Sequence, residues 1–379
     1  MSATDAPSTT DPTARPTLPG RLGDPALDLR TDPRAKPDLV AALAAVGLDG
    51  PAAEPPITRE AGREAVAEAV GGLHAGFSAL YATIPLDLPG DLPDDAVETT
   101  DTSVASPDGH LVPLRLYRPV GVAGPLPCVV YLHGGGMTIL DAETRVHDRW
   151  CRELALTGVV TARVGFRNAW TELGPHPFPA GLDDCAVAVR WLDDQRGELG
   201  LTRLVLQGES GGANLVLATT LRAKRSGDLD AIDGVYASVP YVSGGYAWDR
   251  ERKLRELPSM IENDGYFINC ALMDLLVAQY DPEGRHAEDP LAWPYFATTD
   301  DLAGLPPHVI TVNELDPLRD EGLAYYRQLL AAGVPAEGRV HLGITHAAEM
   351  IFRQALPGEH RAAIADVRAF VDRLTVDHV

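Results

Sequence analysis

Positive charge is scarce in this chain. Lys and Arg together number 32 against 54 Asp and Glu, which gives a formal net charge of −22 at pH 7. Binding to nucleic acid requires clustered Lys and Arg side chains that neutralise phosphates, and docking on anionic lipid requires the same kind of patch. The composition therefore predicts neither a nucleic-acid partner nor a membrane partner, and the acidity is expected to serve solubility.

Cysteine is scarce as well. The four cysteines, Cys128, Cys151, Cys185 and Cys270, include no CxxC pair, and no metal-ligand spacing joins them to a histidine. We interpret them as small buried apolar side chains of a reduced compartment. No metal site is predicted.

Long apolar runs are missing. No stretch of 18 or more apolar residues is present, so no transmembrane helix is predicted. Residues 1–20 contain neither a basic segment nor an apolar segment of the kind that forms a secretory signal peptide. The expected location is therefore the cytoplasm.

The length of 379 residues suits one large α/β domain with an accessory piece. Residues 1–36 are rich in Pro, Thr, Asp and Gly without periodicity, which predicts a flexible N-terminal tail. Residues 37–96 contain two helical patterns and then a Pro- and Asp-rich linker. Residues 97–379 form the predicted main domain.

Within the main domain, strand-like apolar runs alternate with amphipathic helical patterns. Strands are predicted over residues 111–118, 127–133, 159–165, 203–207, 234–239, 308–313 and 337–343. Helices are predicted over residues 143–157, 183–196, 211–224, 318–332 and 360–374. This alternation predicts an α/β fold with a mostly parallel, twisted central sheet flanked by helices. A gap of about 60 residues, roughly 241–300, predicts a cap insertion.

One glycine-rich corner stands between a predicted strand and a predicted helix. Residues 203–215 read RLVLQGESGGANL, with Ser210 at the apex. A tight strand–turn–helix has no room for side chains beside the apex, which suits Gly208 and Gly212. The serine hydroxyl is expected above the sheet at the positive end of the helix, where a nucleophile belongs. The alternative is a purely structural serine turn, because glycine-rich chains produce G-x-S-x-G by accident.

A second glycine-rich loop offers the donors that an activated serine needs. Residues 131–136, YLHGGG, follow a buried strand, and three successive glycines leave backbone N–H groups bare. This loop should face the serine loop, so Gly135, Gly136 and Gly211 are the predicted oxyanion donors. The alternative is a phosphate-cradling loop, but no Lys-Ser/Thr follows and no G-x-G-x-x-G with a ribose-binding acid is present. No cofactor is predicted.

Four motifs together resemble the bacterial hormone-sensitive-lipase-like esterases of the α/β-hydrolase superfamily. They are HGGG at 133–136, HPFPAGLDD at 176–184, GESGGANL at 208–215 and DPLRDEG at 316–322, in the family's order. The likeness covers residues from about 100 to 350, and esterases that hydrolyse brefeldin are considered as nearer relatives within the family. The resemblance implies an α/β-hydrolase fold whose cap is built from the N-terminal helices and the insertion.

Two segments depart from the family pattern. The family usually has Asp-Ser-Ala where this chain has Glu209-Ser210-Gly211, and a glycine there should still supply its N–H with less rigidity. The usual Asp-Tyr-Arg-Leu-Ala-Pro-Glu stretch is replaced by GFRNAWTELGP at 165–175. That replacement is expected to change the local wall of the site and leave the chemistry intact.

The resemblance assigns the orienting acid to Asp316, the first Asp of DPLRDEG. Its position directly after strand 308–313 agrees, because loops at the carboxyl ends of strands carry catalytic groups in such sheets. The rivals are Glu314 and Asp320, and Asp320 is expected inside the following helix.

The predicted base is His346. It follows strand 337–343 and completes the chain order Ser, Asp, His of α/β-hydrolases. Residues 97–379 are thus the predicted catalytic domain. His346 and Glu349 also read as H-x-x-E, but no third metal ligand is evident, so we treat that spacing as chance.

Aromatic residues in the insertion suggest a substrate pocket. Tyr241, Tyr246 and Trp248 are expected in an apolar wall. Met137, directly after the HGGG loop, is expected to flank the acyl site. The alternative for each aromatic residue is the core of the cap itself.

These features predict a serine carboxylesterase that hydrolyses small to medium hydrophobic carboxylic esters through an acyl-enzyme intermediate. A lactone hydrolase or an amidase with the same triad is an alternative, because both use the same intermediate. A non-catalytic small-molecule receptor on the same scaffold is another, and His346 speaks against it. Exposed edge strands make a homodimer a reasonable expectation.

Overall fold

The structure, a computed structural model, describes residues 18–374. Its strands are β1 (Val97–Ala105), β2 (Leu111–Pro119), β3 (Leu126–Leu132), β4 (Val160–Val164), β5 (Leu201–Glu209), β6 (Gly234–Ser238), β7 (His308–Asn313) and β8 (Ala336–His341). Its α-helices are α1 (Gly20–Gly23), α2 (Pro37–Ala45), α3 (Arg63–Thr83), α4 (Arg145–Leu156), α5 (Ala180–Asp194), α6 (Arg196–Leu199), α7 (Gly211–Ser226), α8 (Arg250–Glu256), α9 (Ser259–Glu262), α10 (Cys270–Tyr280), α11 (Thr299–Leu302), α12 (Arg319–Ala331), α13 (Ala348–Ile351) and α14 (Pro357–Arg373).

The strands form one sheet in the order β1-β2-β4-β3-β5-β6-β7-β8. β2 runs antiparallel to β1 and to β4, and each neighbouring pair from β4 across to β8 is parallel. The apolar strands β4, β6 and β7 are buried along their whole length, as expected for parallel strands covered on both faces. The predicted α/β-hydrolase fold, with its mostly parallel sheet, is confirmed.

Helices cover both faces of this sheet. α7 packs on β3, β5 and β6, and α5 packs against α7. α4 packs on β2 and β4, while α12 covers β7 and β8. The strand β1 was not predicted, because its sequence VETTDTSVA is polar and most of its residues are exposed at the edge of the sheet.

The predicted flexible tail over residues 1–36 lies partly outside the described residues. Residues 18–36 differ from that prediction, because they pack on the rest of the chain. Leu29 is buried, and Arg34 pairs with Asp32 at 2.7 Å and with Glu262 in the insertion at 2.5 Å. A buried side chain and paired charges order a segment whose composition alone indicates a loop.

The insertion is helical and contacts the N-terminal region. It contains α8 to α11, and α10 packs against α3. Arg59 Nε donates to Asp274 Oδ2 at 2.8 Å, and Arg63 pairs with Glu283 at 2.8 Å. The division into residues 37–96, 97–379 and a cap at about 241–300 stays a prediction.

No helix between residues 18 and 374 is long and apolar enough to cross a bilayer. The four cysteines are free and buried, in keeping with their interpretation as small apolar side chains. The cytoplasmic location and the homodimer stay predictions.

Candidate active site

The candidate site lies where several parallel strands end. The loops after β3, β5, β7 and β8 meet at the same edge of the sheet, and β3 is where the strand order reverses, with β4 on one side and β5 on the other. Open α/β sheets bind ligands at this kind of switch point. The four loops carry the HGGG glycines, Ser210, Asp316 and His346.

Ser210 occupies a strained corner between β5 and α7. Its backbone has φ +54° and ψ −118°, a region that side-chain-bearing residues rarely adopt. Ser210 N donates to Ser238 O at 2.9 Å. A Cβ on Gly212 would lie 2.0 Å from Leu132 O, and one on Gly208 would lie 2.5 Å from Gly212 C. Only glycine fits beside the serine, as the spacing predicts.

His346 and Asp316 meet in a buried hydrogen bond. His346 Nδ1 lies 2.7 Å from Asp316 Oδ2, and Asp316 is 0% exposed. Asp316 Oδ1 accepts from Leu318 N at 2.8 Å, which fixes the carboxylate. A proton on Nδ1 leaves Nε2 of His346 with a lone pair, as a general base requires.

The two rival acids have other partners. Asp320 lies in α12, as expected, where it pairs with Arg319 at 2.9 Å and accepts from Ser259 N at 2.7 Å. Glu314 accepts from Gly343 N at 2.8 Å. In the described residues, the acid that contacts the imidazole of His346 is Asp316.

Ser210 and His346 line one cavity of about 50 Å³. The Ser210 hydroxyl makes no hydrogen bond within residues 18–374. Catalytic hydrogen bonds are often long without substrate and tighten when it binds.

The oxyanion loop, residues 133–140, is held open by its own backbone. Gly135 and Gly136 have φ +110° and +60°. Gly135 O accepts from Ile139 N at 2.9 Å, and Gly136 O accepts from Thr138 Oγ1 at 2.8 Å. The N–H groups of Gly135 and Gly136 have no hydrogen-bond partner within residues 18–374, so they are left for a ligand.

Gly211 brings this loop against the nucleophile. A Cβ at Gly211 would lie 2.4 Å from Met137 N and 2.6 Å from Gly136 N. The three predicted donors, Gly135, Gly136 and Gly211, are thus brought together. Gly211 lets the oxyanion loop lie close to the start of α7. From the sequence, only a less rigid corner was expected at this glycine.

His133 supports the loop from behind. Burial lowers the pKa of its imidazole to about 4, so the ring is neutral. Its Nδ1 lies 2.6 Å from Gly134 O, to which it donates, and the ring stacks on Phe166 with centroids 4.4 Å apart. The departure at 165–175 also supports the loop, since Ala169 N donates to Met137 O at 2.9 Å and Trp170 N to Thr138 O at 3.2 Å.

The predicted pocket residues lie elsewhere. Tyr241 and Tyr246 are buried in the insertion, where Tyr241 OH donates to Met273 O at 2.7 Å and Tyr246 OH donates to Glu321. The Trp248 ring lies under the guanidinium of Arg252, 3.5 Å from it. Met137 is buried beside Gly211.

None of these four predicted residues lines the cavity. The aromatic ones form the core of the insertion, which is the alternative weighed above.

The apolar wall comes from three other segments. They are α3, the oxyanion loop and the part of the insertion around α10. The large apolar side chains that line the cavity are Phe77, Tyr81, Ile139, Leu140, Phe267, Ile268, Leu272, Met273, Leu276 and Ile351. Sequence reasoning missed them because helix patterns do not show which face borders a cavity.

No group of three or more His, Cys, Asp or Glu side chains between residues 18 and 374 is arranged to hold a metal ion. Glu349, which follows His346 by three residues, accepts from Asn313 Nδ2 at 2.8 Å.

Comparison with known proteins agrees with the observed fold. Residues 129–350 match a family model for the α/β-hydrolase fold. A solved structure of brefeldin A esterase, described as a bacterial homologue of human hormone-sensitive lipase, is 56% identical with a TM-score of 0.94, over 95% of this chain and 99% of that chain.

Curated relatives include the carboxylesterase NlhH of Mycobacterium tuberculosis, 34% identical over 60% of this chain and 67% of that protein. The ethyl acetate hydrolase of Pseudomonas putida is 31% identical over 65% of this chain and 74% of that protein. The chain therefore belongs to the α/β-hydrolase fold family and, within it, to the hormone-sensitive-lipase-like esterases, which are carboxylic ester hydrolases.

Proposed function

We propose that Ser210, His346 and Asp316 form a catalytic triad that hydrolyses small to medium hydrophobic carboxylic esters through an acyl-enzyme. The observation that carries this proposal is the 2.7 Å contact between His346 Nδ1 and Asp316 Oδ2, in a site whose cavity Ser210 and His346 both line. The nucleophile, the orienting acid and the base follow one another along the chain in the order that is typical of this fold.

Each group has a defined task in the proposed reaction. His346 Nε2 takes the proton of Ser210 Oγ as that oxygen attacks the ester carbonyl, and Asp316 stabilises the imidazolium that forms. The N–H groups of Gly135, Gly136 and Gly211 bind the oxyanion, each donor contributing about 3 to 4 kcal/mol. The alcohol leaves with the proton from His346, and water then cleaves the acyl-enzyme by the same route.

The substrate class follows from the cavity. Its wall is apolar, and its volume of about 50 Å³ is small beside the roughly 300–1,000 Å³ of sites that enclose drug-sized ligands. Short apolar acyl groups suit this space, and the alcohol part can extend outward. Lactones and amides pass through the same kind of intermediate. The kcat/KM values for a matched ester, lactone and amide therefore rank the three substrate classes.

The triad is tested with p-nitrophenyl butyrate. Ser210→Ala should abolish turnover, and Asp316→Asn should lower kcat by about 10⁴-fold because the imidazole tautomer is no longer fixed. The matched control is Asp320→Asn, which changes a neighbouring carboxylate that contacts Arg319 instead of His346.

Turnover that survives in Ser210→Ala, or an equal loss in Asp320→Asn and Asp316→Asn, would reject the triad. A wild-type protein that binds esters without turning them over would favour the receptor alternative.

A further inference from the structure

Glu209 directly precedes the nucleophile, and its side chain points into the protein behind the oxyanion loop. The residue is 3% exposed. Its Oε1 accepts two hydrogen bonds, from Gly134 N at 2.6 Å and from Tyr131 OH at 3.0 Å. The carboxyl thus joins the end of β5 to the first glycine of the loop.

The histidine beside this carboxyl supplies no positive charge. His147 Nε2, from α4, lies 3.7 Å from Glu209 Oε1. The Nδ1 of that ring lies 2.9 Å from Asp141 O, and burial holds the pKa of His147 well below its usual value. The imidazole is therefore neutral, with its Nδ1–H donated to a carbonyl.

The other facing groups are phenols, a carboxylate and a paired arginine. Burial raises the pKa of Tyr81 on α3 and of Tyr131 on β3, so both phenols are neutral. Burial raises the pKa of Glu209, and Glu349 on α13 raises it further. Arg163 on β4 acts on the same cluster but is paired with Glu143 and Asp148 at 3.6 Å each.

A buried carboxyl without an ion pair is neutral, because desolvation penalises its charge. Oε2 of Glu209 has no hydrogen-bond partner within residues 18–374, so nothing there stabilises a negative charge on that oxygen. Burial raises the pKa of Glu209 to about 8, which agrees with a protonated side chain at neutral pH.

We infer that Glu209 is a positioning residue for the ester hydrolysis proposed above, that its neutral carboxyl holds the oxyanion loop through Gly134 N–H, and that its ionisation weakens the oxyanion hole. Gly134 precedes Gly135, a proposed donor, so the bond at Gly134 fixes the start of the loop. A negative charge behind the loop opposes the negative charge that develops on the substrate oxygen. The rate should therefore fall as Glu209 loses its proton.

The test is the pH profile of kcat for p-nitrophenyl butyrate in three variants. In the wild type, kcat should fall on the alkaline side with a midpoint near the Glu209 pKa of about 8. Glu209→Gln keeps a neutral acceptor for Gly134 N, so its kcat below pH 7 should stay within about threefold of wild type. Its alkaline fall should disappear. Glu209→Ala removes the acceptor, and kcat should drop by at least about tenfold with little change in KM.

Glu321→Gln is the matched control. Glu321 is 0% exposed, and burial raises its pKa to about 8 as well. Its carboxyl accepts from Ser243 N at 2.8 Å and from Tyr246 OH, both in the insertion and away from the oxyanion loop. This variant should keep the alkaline fall of the wild type.

An alkaline fall that persists in Glu209→Gln, or that disappears in Glu321→Gln, would overturn the inference. So would a Glu209→Ala variant with wild-type kcat. Melting curves at pH 7 and 9 separate loss of fold from loss of rate. If Glu209→Ala is unstable, the pH profile of Glu209→Gln alone tests the inference. Survival of turnover in Ser210→Ala would reject the proposed function itself, whereas an inactive Ser210→Ala beside an unchanged Gln profile would reject only the role of Glu209.

Discussion

At the scale of single residues, Gly211 determines how closely the oxyanion loop approaches the nucleophile. A Cβ there would lie 2.4 Å from Met137 N and 2.6 Å from Gly136 N, inside any contact that real Cβ atoms make. In this chain the loop lies nearer to α7 than a methyl group permits.

Gly211→Ala should therefore push the loop outward and misplace its N–H groups. Loss of one oxyanion donor costs about 10²- to 10³-fold in kcat, so a displaced loop should lower kcat by at least about tenfold. KM should change less, because the donors act mainly on the transition state. Steady-state kinetics with p-nitrophenyl butyrate measure both values.

Gly76→Ala in α3 is the control, because a Cβ there meets nothing within 4 Å. It should leave kcat unchanged and raise the melting temperature slightly, since Ala favours helix over Gly by about 1 kcal/mol. Wild-type kcat in Gly211→Ala would show that the loop adapts without cost.

The placement of residues at strand ends was predictable, and the direction of buried side chains was not. Ser210, Asp316 and His346 each follow a predicted strand, and parallel strand ends meet at one edge. Glu209 was noticed only as a departure from the family pattern. That its carboxyl turns inward to Gly134 depends on how β3 and β5 lie side by side, which motif spacing does not contain.

At the scale of elements, α3 and the segment after β4 build a partition between two spaces. Trp170 borders an outer cleft of about 500 Å³ and does not line the catalytic cavity. Its ring lies 5.0 Å from the His74 ring, and His74 Nδ1 accepts from Leu140 N at 3.2 Å. Leu140 lines the cavity, so Trp170, His74 and Leu140 form the partition.

Trp170→Ala should open the cavity toward this cleft. The ratio of kcat/KM for p-nitrophenyl decanoate over the butyrate should rise by at least about tenfold, because a single methylene that gains apolar contact contributes about 1–3 kcal/mol, or roughly 10- to 200-fold. A chain-length series of p-nitrophenyl esters measures the shift.

Trp248→Ala is the matched control for Trp170→Ala. It removes an indole of the insertion that packs on Arg252 and lies outside the cavity wall, so the chain-length preference should stay unchanged. If Trp248→Ala shifts the preference and Trp170→Ala does not, the substrate extends toward the aromatic residues first predicted as the pocket.

The helical insertion shows why the residues of the cavity wall could not be predicted from the sequence. Nearly every residue of α10, CALMDLLVAQY, is buried, so its hydrophobic pattern has no polar face from which to infer orientation. The long apolar strands and amphipathic helices of the main domain carry a clear period, and the predicted α/β fold was correct there. The polar edge strand β1 has no such hydrophobic period, so it was not predicted.

At the scale of the whole molecule, two kinds of carboxyl group make the stability depend on pH in opposite directions. Burial raises the pKa of Glu209 and of Glu321 to about 8, from a usual value of 4.5. The guanidinium of Arg353, by contrast, lowers the pKa of Asp91 to about 2. Asp91 contributes stability above its unfolded pKa and loses it as the pH falls toward 2.

The two buried carboxyls act at higher pH than Asp91. A carboxyl with a raised folded pKa contributes its full stability below its unfolded pKa, and that contribution is lost as the pH rises through the folded value. Stability should therefore decline between about pH 4.5 and 8, and the net charge of −22 adds repulsion in the same direction.

Calorimetry should give a higher melting temperature at pH 5 than at pH 9. The double variant Glu209→Gln/Glu321→Gln should flatten this decline, because neither amide can ionise. A wild type with equal melting temperatures at both pH values, or a double variant with an undiminished decline, would mean that these carboxyls are charged in the folded protein.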